Sequence, residues 1–195
     1  MQVEVRRSQS DRRQQTQRAL VSAARALFAE KGFAGTSTPE IVAAAGVTRG
    51  ALYHHFADKL ALFEAVVEEE HLLVSMSINA AAESDEEPGP IKALLAGCDA
   101  YLNAMQDSGR RQIMLVDAPA VLGRAKVDEI DARHGMETLV CGLRDAMEAG
   151  ALRKMPVEAL AQLFGAMFDR AALAAPEDVA DYRKSIKALI RGLKA

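Results

Sequence analysis

The chain has 195 residues, half of them hydrophobic, and a formal net charge of −3. This composition excludes a mostly disordered chain and supplies enough apolar side chains for a sizeable core. The longest apolar runs are too short to span a membrane, and the arginine-rich N-terminus has no apolar signal segment, so we expect a cytoplasmic protein without membrane contact. Cys98 and Cys141 both fall at core-type positions of predicted helices and are expected to be reduced, structural thiols.

Charge is distributed unevenly along the chain. Residues 1–59 contain nine Lys and Arg against five Asp and Glu, a charge of +4, whereas the remainder contains fifteen against twenty-two, a charge of −7. A basic segment followed by an acidic one is expected if the first neutralises phosphates and the second does not touch nucleic acid. For residues 1–13 alone, a solvated basic tail is an open alternative.

An arm and a helix are predicted at the N-terminus. Residues 1–10 lack periodicity and are predicted to be a mobile arm. A helix is predicted from Ser10 or Asp11 to Lys31, and Gly32 ends it. Contact with a phosphate or a minor groove, and no contact, are equally open for the arginines near this end, which are Arg6, Arg7, Arg12 and Arg13.

Residues 37–59 read as two short helices joined by a glycine turn. Ser37 is a good N-cap, and Glu40 is placed to close a capping box with it. Gly46 is suited to the left-handed conformation that ends a helix. Thr48 is predicted to cap the second helix, which runs to about Ala57.

The second of these helices has two unlike faces. Burial of Val47, Leu52 and Phe56 leaves Arg, Gly, Tyr and His on the opposite side, with no carboxylate and no large aliphatic residue. This composition is suited to a DNA groove. The exposed residues are Arg49, Gly50, Tyr53 and His54.

The remainder is predicted to be helical, without a repeat or a convincing strand. Asp58 caps a helix that ends near Ser84, and the polar segment 84–90 separates it from the next helix. Apolar spacing predicts that next helix from Ile91, then a short helix broken at Pro119. It also predicts a long helix from Val127 that ends at Gly150, with a bend at Gly135 as an open alternative, and two more helices from Pro156 and Val179. The fold is therefore all-α with about nine helices, divided into domains 1–57 and 58–195.

Residues 36–63 resemble the helix-turn-helix of the tetracycline-repressor (TetR) family of bacterial transcription regulators. A helix-turn-helix pattern alone is a weak signal, whereas the tail YHHFADKLALF is specific. Val42 and Arg49 depart from the alanine and lysine that are usual in the family. The matching residues are Thr36, Ser37, Ile41, Ala45, Gly46, Val47, Gly50, Tyr53, His55, Phe56, Lys59, Leu62 and Phe63.

The resemblance implies roles for the motif's residues. Arg49 and His54 face the major groove, and Arg49 is the best candidate to read a guanine. His55 has two open roles, a phosphate hydrogen bond and packing against the next helix. Ser37, Tyr53 and Lys59 are expected to contact phosphates. The complete predicted DNA-binding set is Ser37, Thr48, Arg49, Gly50, Tyr53, His54, His55 and Lys59.

The resemblance also implies a ligand pocket and a dimer surface in residues 58–195. Core packing or satisfaction by helix ends is the alternative for each pocket residue. Predicted pocket residues are Tyr101, Met105, Arg111, Met114, Asp117, His134, Phe164, Met167 and Phe168. Small residues of the last two helices predict the dimer surface, where an exposed ion pair is the alternative for Asp169 and Arg170. Predicted dimer residues are Gly165, Asp169, Arg170, Ala172, Tyr182, Ile186, Leu189 and Ile190.

The resemblance implies a homodimeric regulator that binds a palindromic double-stranded operator. A repressor is expected in preference to an activator. An unknown small-molecule effector releases it, with the helix from Asp58 as the lever. A helical protein-interaction module and an enzyme acting on an apolar metabolite are the open alternatives. The sequence contains no H-E-x-x-H, paired-cysteine or phosphate-loop motif, so we expect no cofactor, no metal and no enzymatic activity.

Overall fold

The computed structural model describes residues 9–83 and 89–195. Over these ranges there is no β-strand, and an isolated antiparallel bridge pairs Leu152 with Lys194. The predicted all-α fold is confirmed. Some sequence predictions fall outside the described residues. These are the contacts considered for Arg6 and Arg7, most of the predicted arm, and most of the break predicted over residues 84–90.

Ten helical segments make up the described part of the chain, close to the predicted nine. One of them, α6, continues without a break from an α-helical turn through a π turn into a second α-helical turn. The segments are α1 (Gln9–Gly35), α2 (Thr38–Ala44), α3 (Arg49–His55), α4 (Lys59–Ala82), α5 (Pro90–Ala104), α6 (Ser108–Arg111, Gln112–Asp117 and Ala118–Val121), α7 (Arg124–Arg133), α8 (Gly135–Glu148), α9 (Val157–Ala172) and α10 (Val179–Gly192).

The helices form two compact units, one ending at Val67 and the other beginning at Glu68, so the division falls within α4. The division predicted after residue 57 assigned all of α4 to the second domain, and it stays a prediction. Within the described residues, no helix is both long and apolar enough to cross a membrane.

Aromatic packing and a kinked helix define the first unit. The rings of Phe28, Phe33 and Phe63 lie with centroids 4.9 to 5.7 Å apart. Gly32 has a φ of 70° and kinks α1, whereas the sequence predicted that the helix ends there. The Oγ1 of buried Thr36 donates to Gly32 O at 2.8 Å and fixes the chain after the kink.

Two predicted helices of the second unit are corrected. The helix predicted from Val127 to Gly150 is two helices, because His134 leaves the helical region with φ −127° and ψ −87°. Pro119, predicted to break a helix, lies in the first turn of the last part of α6, a position where a missing N–H is tolerated.

The two cysteines differ in burial. Cys98 is 2% exposed, as predicted, and burial raises the pKa of its thiol to about 11. Cys141 was predicted at a core position but is exposed. The buried stripe of α8 contains Leu143 and Met147, and a residue two positions before Leu143 points to the other side of the helix.

Candidate DNA-binding surface and ligand cavity

The α2 N-terminus carries the predicted capping box. Glu40 N donates to Ser37 Oγ at 3.4 Å, and Ser37 N donates to Glu40 Oε2 at 2.9 Å. Lys31 Nζ donates to Glu40 Oε1 at 2.8 Å. The Lys31 ammonium, followed by the Ser37 hydrogen bonds, lowers the pKa of Glu40 to about 2. The Ser37 side chain is therefore engaged in holding the start of α2.

The turn into α3 also follows the sequence prediction. Gly46 has a φ of 66°, and Ala51 N donates to Thr48 Oγ1 at 3.2 Å, which caps α3. Leu52 and Phe56 are buried, and Val47 is half-buried. Because these residues take the inner side, α3 is held with its opposite face outward.

The outward face of α3 is formed by Arg49, Gly50, Tyr53 and His54, all of them exposed. The guanidinium Cζ of Arg49 lies 5.5 Å from the centroid of the Tyr53 ring. This cation–π contact places the charged Arg49 side chain beside the Tyr53 ring, which carries a hydroxyl, on one exposed strip of the helix. We call this strip, residues 49, 50, 53 and 54, the recognition face.

The Lys59 ammonium makes hydrogen bonds within the first unit. Its Nζ donates to Phe33 O at 2.9 Å and to Thr36 O at 2.8 Å, and it lies 4.1 Å from the Phe33 ring centroid. These bonds reach two carbonyl groups, one in the last turn of α1 and one just after it, and Phe33 O also accepts from Thr36 N at 3.3 Å. The phosphate contact predicted for Lys59 stays a prediction.

His55 is half-buried at the C-terminal end of α3. Burial, followed by the nearby His54 and Arg13, lowers the pKa of His55 below its usual value of 6.5. The His55 and Phe56 ring centroids lie 6.5 Å apart, and packing of His55 against the next helix stays a prediction. The phosphate role of His55 stays a prediction.

The second unit encloses a cavity of about 860 Å³, lined by residues of all its helices. This volume is in the range of sites that take drug-sized ligands. Four of the predicted pocket residues line it: Tyr101, Met114, Phe164 and Phe168. Phe164 and Phe168 are stacked with centroids 6.2 Å apart, and Tyr101 lies 5.6 Å from Phe168.

The other five predicted pocket residues lie outside the cavity lining. Met105 is buried in a cluster with Val74 and Ala172, and Met167 packs on the core. The polar three are engaged with other groups. Arg111 Nη1 donates to Met105 O at 2.5 Å, Asp117 Oδ1 accepts from Gln112 at 2.8 Å, and His134 Nε2 lies 3.2 Å from Glu68 Oε1.

The cavity lining also includes His71 and Asp131, to which the sequence analysis gave no role, and Asp169, which it assigned to the dimer surface. His71 is 7% exposed, and its Nδ1 lies 3.5 Å from Asp131 Oδ1. Tyr101 Oη donates to Asp169 Oδ1 at 2.6 Å. Burial raises the pKa of Asp169, and it raises that of Tyr101 well above its usual value. The available signal was His71 itself, a polar residue on the buried stripe of α4 between Val67 and Val74.

The predicted dimer residues have unlike environments. Gly165 and Asp169 line the cavity, and Arg170 and Leu189 are exposed. Tyr182 is half-buried, with its ring 5.3 Å from Arg170 Cζ. Ala172, Ile186 and Ile190 are buried within the chain's own core, because they lie on the inner stripes of α9 and α10.

A capped pair of short helices with a basic and aromatic recognition face, followed by a helical unit with a large cavity, defines a helix-turn-helix regulator. The model for bacterial regulatory proteins of the tetR family matches residues 20–66, and the model for the tetracyclin repressor-like C-terminal domain matches residues 91–194. The chain belongs to the TetR family, and the protein is a DNA-binding transcriptional regulator. Both predictions are confirmed.

Similarity extends over most of the chain. A TetR-family transcriptional regulator from Pectobacterium atrosepticum has a solved structure with 31% identity and a TM-score of 0.80, covering 97% of this chain and 98% of that one. The Tn10 TetC protein of Escherichia coli is 23% identical over 192 residues, 97% of this chain and 96% of that protein. The transcriptional repressor BepR of Brucella suis is 33% identical over 100 residues, 51% of this chain and 47% of that protein.

Proposed function

We propose that the protein is a homodimeric repressor that leaves a palindromic operator when a small molecule occupies the cavity of its second unit. The observation that carries this proposal is the cavity of about 860 Å³, lined by Tyr101, Phe164 and Phe168. A site of this size and aromatic content suits a ligand of metabolite or drug size. Similarity to the BepR repressor supports repression in preference to activation.

The recognition face supplies the proposed base and phosphate contacts. Arg49 is exposed and free of carboxylates on its own helix, so its guanidinium can donate two hydrogen bonds to a guanine in the major groove. Tyr53 and the N-terminal end of α2 would contact phosphates. Loss of a bidentate Arg contact costs about 1–3 kcal/mol of base discrimination.

The proposed dimer surface combines exposed leucines of the last two helices. Leu163, Leu173 and Leu189 are 65%, 47% and 52% exposed, and α9 packs against α10. Leu163, Arg170 and Leu173 are spaced so that they share one face of the α9 region. Exposed apolar residues on neighbouring helices favour contact with a second copy of the chain. Two copies would place recognition helices in major grooves about 34–36 Å apart.

Release requires that the ligand distinguish between two conformers. A molecule that binds equally well to both would leave operator affinity unchanged. We propose that the cavity fits its ligand better in the conformer whose recognition helices are wrongly spaced. The ligand and the operator then lower each other's affinity by the same factor.

Selection of duplexes from a random pool by the purified protein tests the DNA-binding part. We expect enrichment of a palindrome whose half-sites lie about one helical turn apart. Arg49→Ala should relax the base preference and reduce the salt slope of binding by about one. The matched control is Arg144→Ala, because Arg144 is an exposed arginine of α8 whose Nη2 lies 3.3 Å from Glu158. A pool with no enriched sequence at low salt would contradict the proposal.

A further inference from the structure

Four polar residues of the cavity lining come from four different helices. His71 belongs to α4, Tyr101 to α5, Asp131 to α7 and Asp169 to α9, and all four line the cavity. Two interactions link them in pairs, Tyr101 Oη to Asp169 Oδ1 at 2.6 Å and His71 Nδ1 to Asp131 Oδ1 at 3.5 Å. Most of the other lining residues are apolar, so these groups decide which polar ligand atoms can be accommodated.

The His71 ring has one nitrogen, Nε2, that is buried and has no hydrogen-bond partner among the described residues. When Nδ1 carries the proton toward Asp131, Nε2 of the neutral ring is an acceptor. A buried acceptor without a partner is costly, and a ligand that donates a hydrogen bond removes that cost.

Asp169 offers a second acceptor. Its Oδ1 accepts from Tyr101, which leaves Oδ2 of the same carboxyl to accept from a ligand. Burial raises the pKa of Asp169, and the nearby Asp131 raises it further, so a donor that stabilises the carboxylate is favoured here. Both His71 Nε2 and Asp169 Oδ2 therefore select donors.

The ionisable residues of the cavity lining are mostly acidic. Four carboxylates line it, Asp128, Asp131, Asp145 and Asp169, and Arg124 is the one Lys or Arg among the described lining residues. The Arg124 guanidinium is engaged by Asp128, with Nε and Oδ1 2.9 Å apart. A ligand carboxylate or phosphate would enter an apolar space beside Asp131 and Asp169, and no described lining residue offers it a free cation.

We propose that the cavity selects an apolar molecule whose polar end donates hydrogen bonds and has no negative charge, with His71 Nε2 and Asp169 as the acceptors. An amine and a hydroxyl are the two forms of this donor chemistry. The aromatic wall of Tyr101, Phe164 and Phe168 holds the apolar body. The role of this selection in controlling DNA binding rests on the proposed function, whereas binding of the ligand to the cavity does not.

Direct binding of one aromatic skeleton with four substituents tests the inference without DNA. The probes are 1-pyrenemethylamine, 1-pyrenemethanol, 1-methylpyrene and 1-pyrenecarboxylic acid, and the chain has no tryptophan to interfere with pyrene fluorescence. We expect the amine and the alcohol to bind at least about tenfold more tightly than the methyl compound and the acid. Equal or tighter binding of the acid or the methyl compound, or no binding by any probe, would overturn the inference.

Variants assign the selection to the two acceptors. His71→Leu should weaken the amine and the alcohol about fivefold or more and leave 1-methylpyrene within about twofold. Asp169→Asn keeps an oxygen for the Tyr101 hydrogen bond and removes the charge, so the amine should lose more affinity than the alcohol. Met136→Leu, in the apolar wall, should change all four probes alike.

If His71→Leu fails to fold in a thermal melt, His71→Gln keeps an acceptor and should retain the order of the probes. An unchanged order in both His71→Leu and Asp169→Asn would overturn the assignment. Failure of the regulatory proposal is distinguishable, because the amine or alcohol would then bind in the expected order without changing operator affinity. Operator release by the acid alone would instead overturn the inference and leave the regulatory proposal in place.

Discussion

Lys59 and His55 show how side chains of the helix-turn-helix motif also stabilise the first unit. The Lys59 ammonium donates to Phe33 O and Thr36 O, and His55 is half-buried at the C-terminal end of α3. The family resemblance predicted a phosphate contact for Lys59 and left phosphate contact and packing as two open roles for His55. Stability measurements can separate their two roles, because a phosphate contact affects DNA binding and an internal hydrogen bond affects unfolding.

Lys59→Met is expected to lower the free energy of unfolding by about 1–3 kcal/mol, because two carbonyl oxygens lose a charged donor. Urea unfolding measures the change. Lys31→Met is the control, since its ion pair with Glu40 is exposed and should contribute less to stability than the Lys59 bonds do. A loss no larger than that of the control, together with a salt slope of DNA binding reduced by about one, would assign Lys59 to phosphate contact instead.

His55 should make the first unit sensitive to acid. Its pKa is lowered in the folded state, so the unfolded chain binds its proton first, and the stabilisation from the neutral ring is lost as pH falls below about 6.5. His55→Gln should flatten the dependence of unfolding free energy on pH in this range. An unchanged slope between the variant and the parent protein would show that the His55 ring titrates alike in both states.

At the scale of helices, stability depends on how each segment begins and on how neighbours are tied together. The capping box of Ser37 and Glu40 fixes the start of α2, and Thr48 fixes that of α3. In the second unit, Arg110 Nε lies 2.5 Å from Oε2 of Glu70, a residue only 2% exposed, which ties α6 to α4. The caps can be recognised in the sequence, whereas the Arg110–Glu70 ion pair joins residues forty positions apart.

Ser37→Ala should cost about 1 kcal/mol, because the side-chain acceptor for Glu40 N is removed. Chemical unfolding monitored by circular dichroism gives the value. Ser37→Asp is the matched variant, since Asp is an equally good N-cap and should restore most of the loss. Equal destabilisation by both substitutions would show that the Ser37 cap contributes little.

Arg110→Met should lower the free energy of unfolding by about 3–5 kcal/mol, because the buried Glu70 carboxylate loses its ion pair with Arg110. The double variant Glu70→Leu with Arg110→Met removes both charges and should recover much of that loss. Thermal and urea unfolding of the parent protein and the two variants measures both changes. A double variant less stable than Arg110→Met would contradict this account of the pair.

For the whole molecule, association is the property on which the proposed function depends. The candidate surface is formed by Leu163, Leu173 and Leu189, whereas Ala172, Ile186 and Ile190 are already buried within one chain. Under the proposed function, contact between copies uses the outer stripes of α9 and α10. The inner stripes of these helices hold the protomer's own core.

Leu163→Glu combined with Leu189→Glu should convert the protein to a monomer, because four carboxylates would be brought into an apolar dimer surface. Sedimentation velocity measures the mass. Operator affinity should fall by at least about tenfold, since one copy contacts only one half-site. Leu72→Glu is the control, an exposed leucine of α4 that should leave the mass unchanged. A double variant that sediments as the parent protein does would rule out this surface.

The sequence by itself determined the family, the all-α class and the recognition face. These features depend on neighbours within a few residues: the Ser37 and Thr48 caps, the positive φ of Gly46, and the spacing that buries Leu52 and Phe56 while exposing Arg49 and Tyr53. Local patterns of this kind lie in consecutive residues and can be read there directly. The helix limits near His134 and Pro119 were harder to predict from the sequence. A histidine does not by itself end a helix, and a proline is tolerated in a first helical turn.

Only the tertiary structure decided which distant side chains meet. Tyr101 and Asp169 are sixty-eight positions apart, and Lys59 reaches Thr36 across twenty-three. An apolar helical stripe predicts burial but not its partner, so the sequence could not distinguish core methionines such as Met105 from residues that line the cavity, such as Met114. It could not place Asp169 in the cavity either. Such juxtapositions arise when helices pack, because packing is fixed by the shapes of all the facing side chains together and not by the period of any one helix.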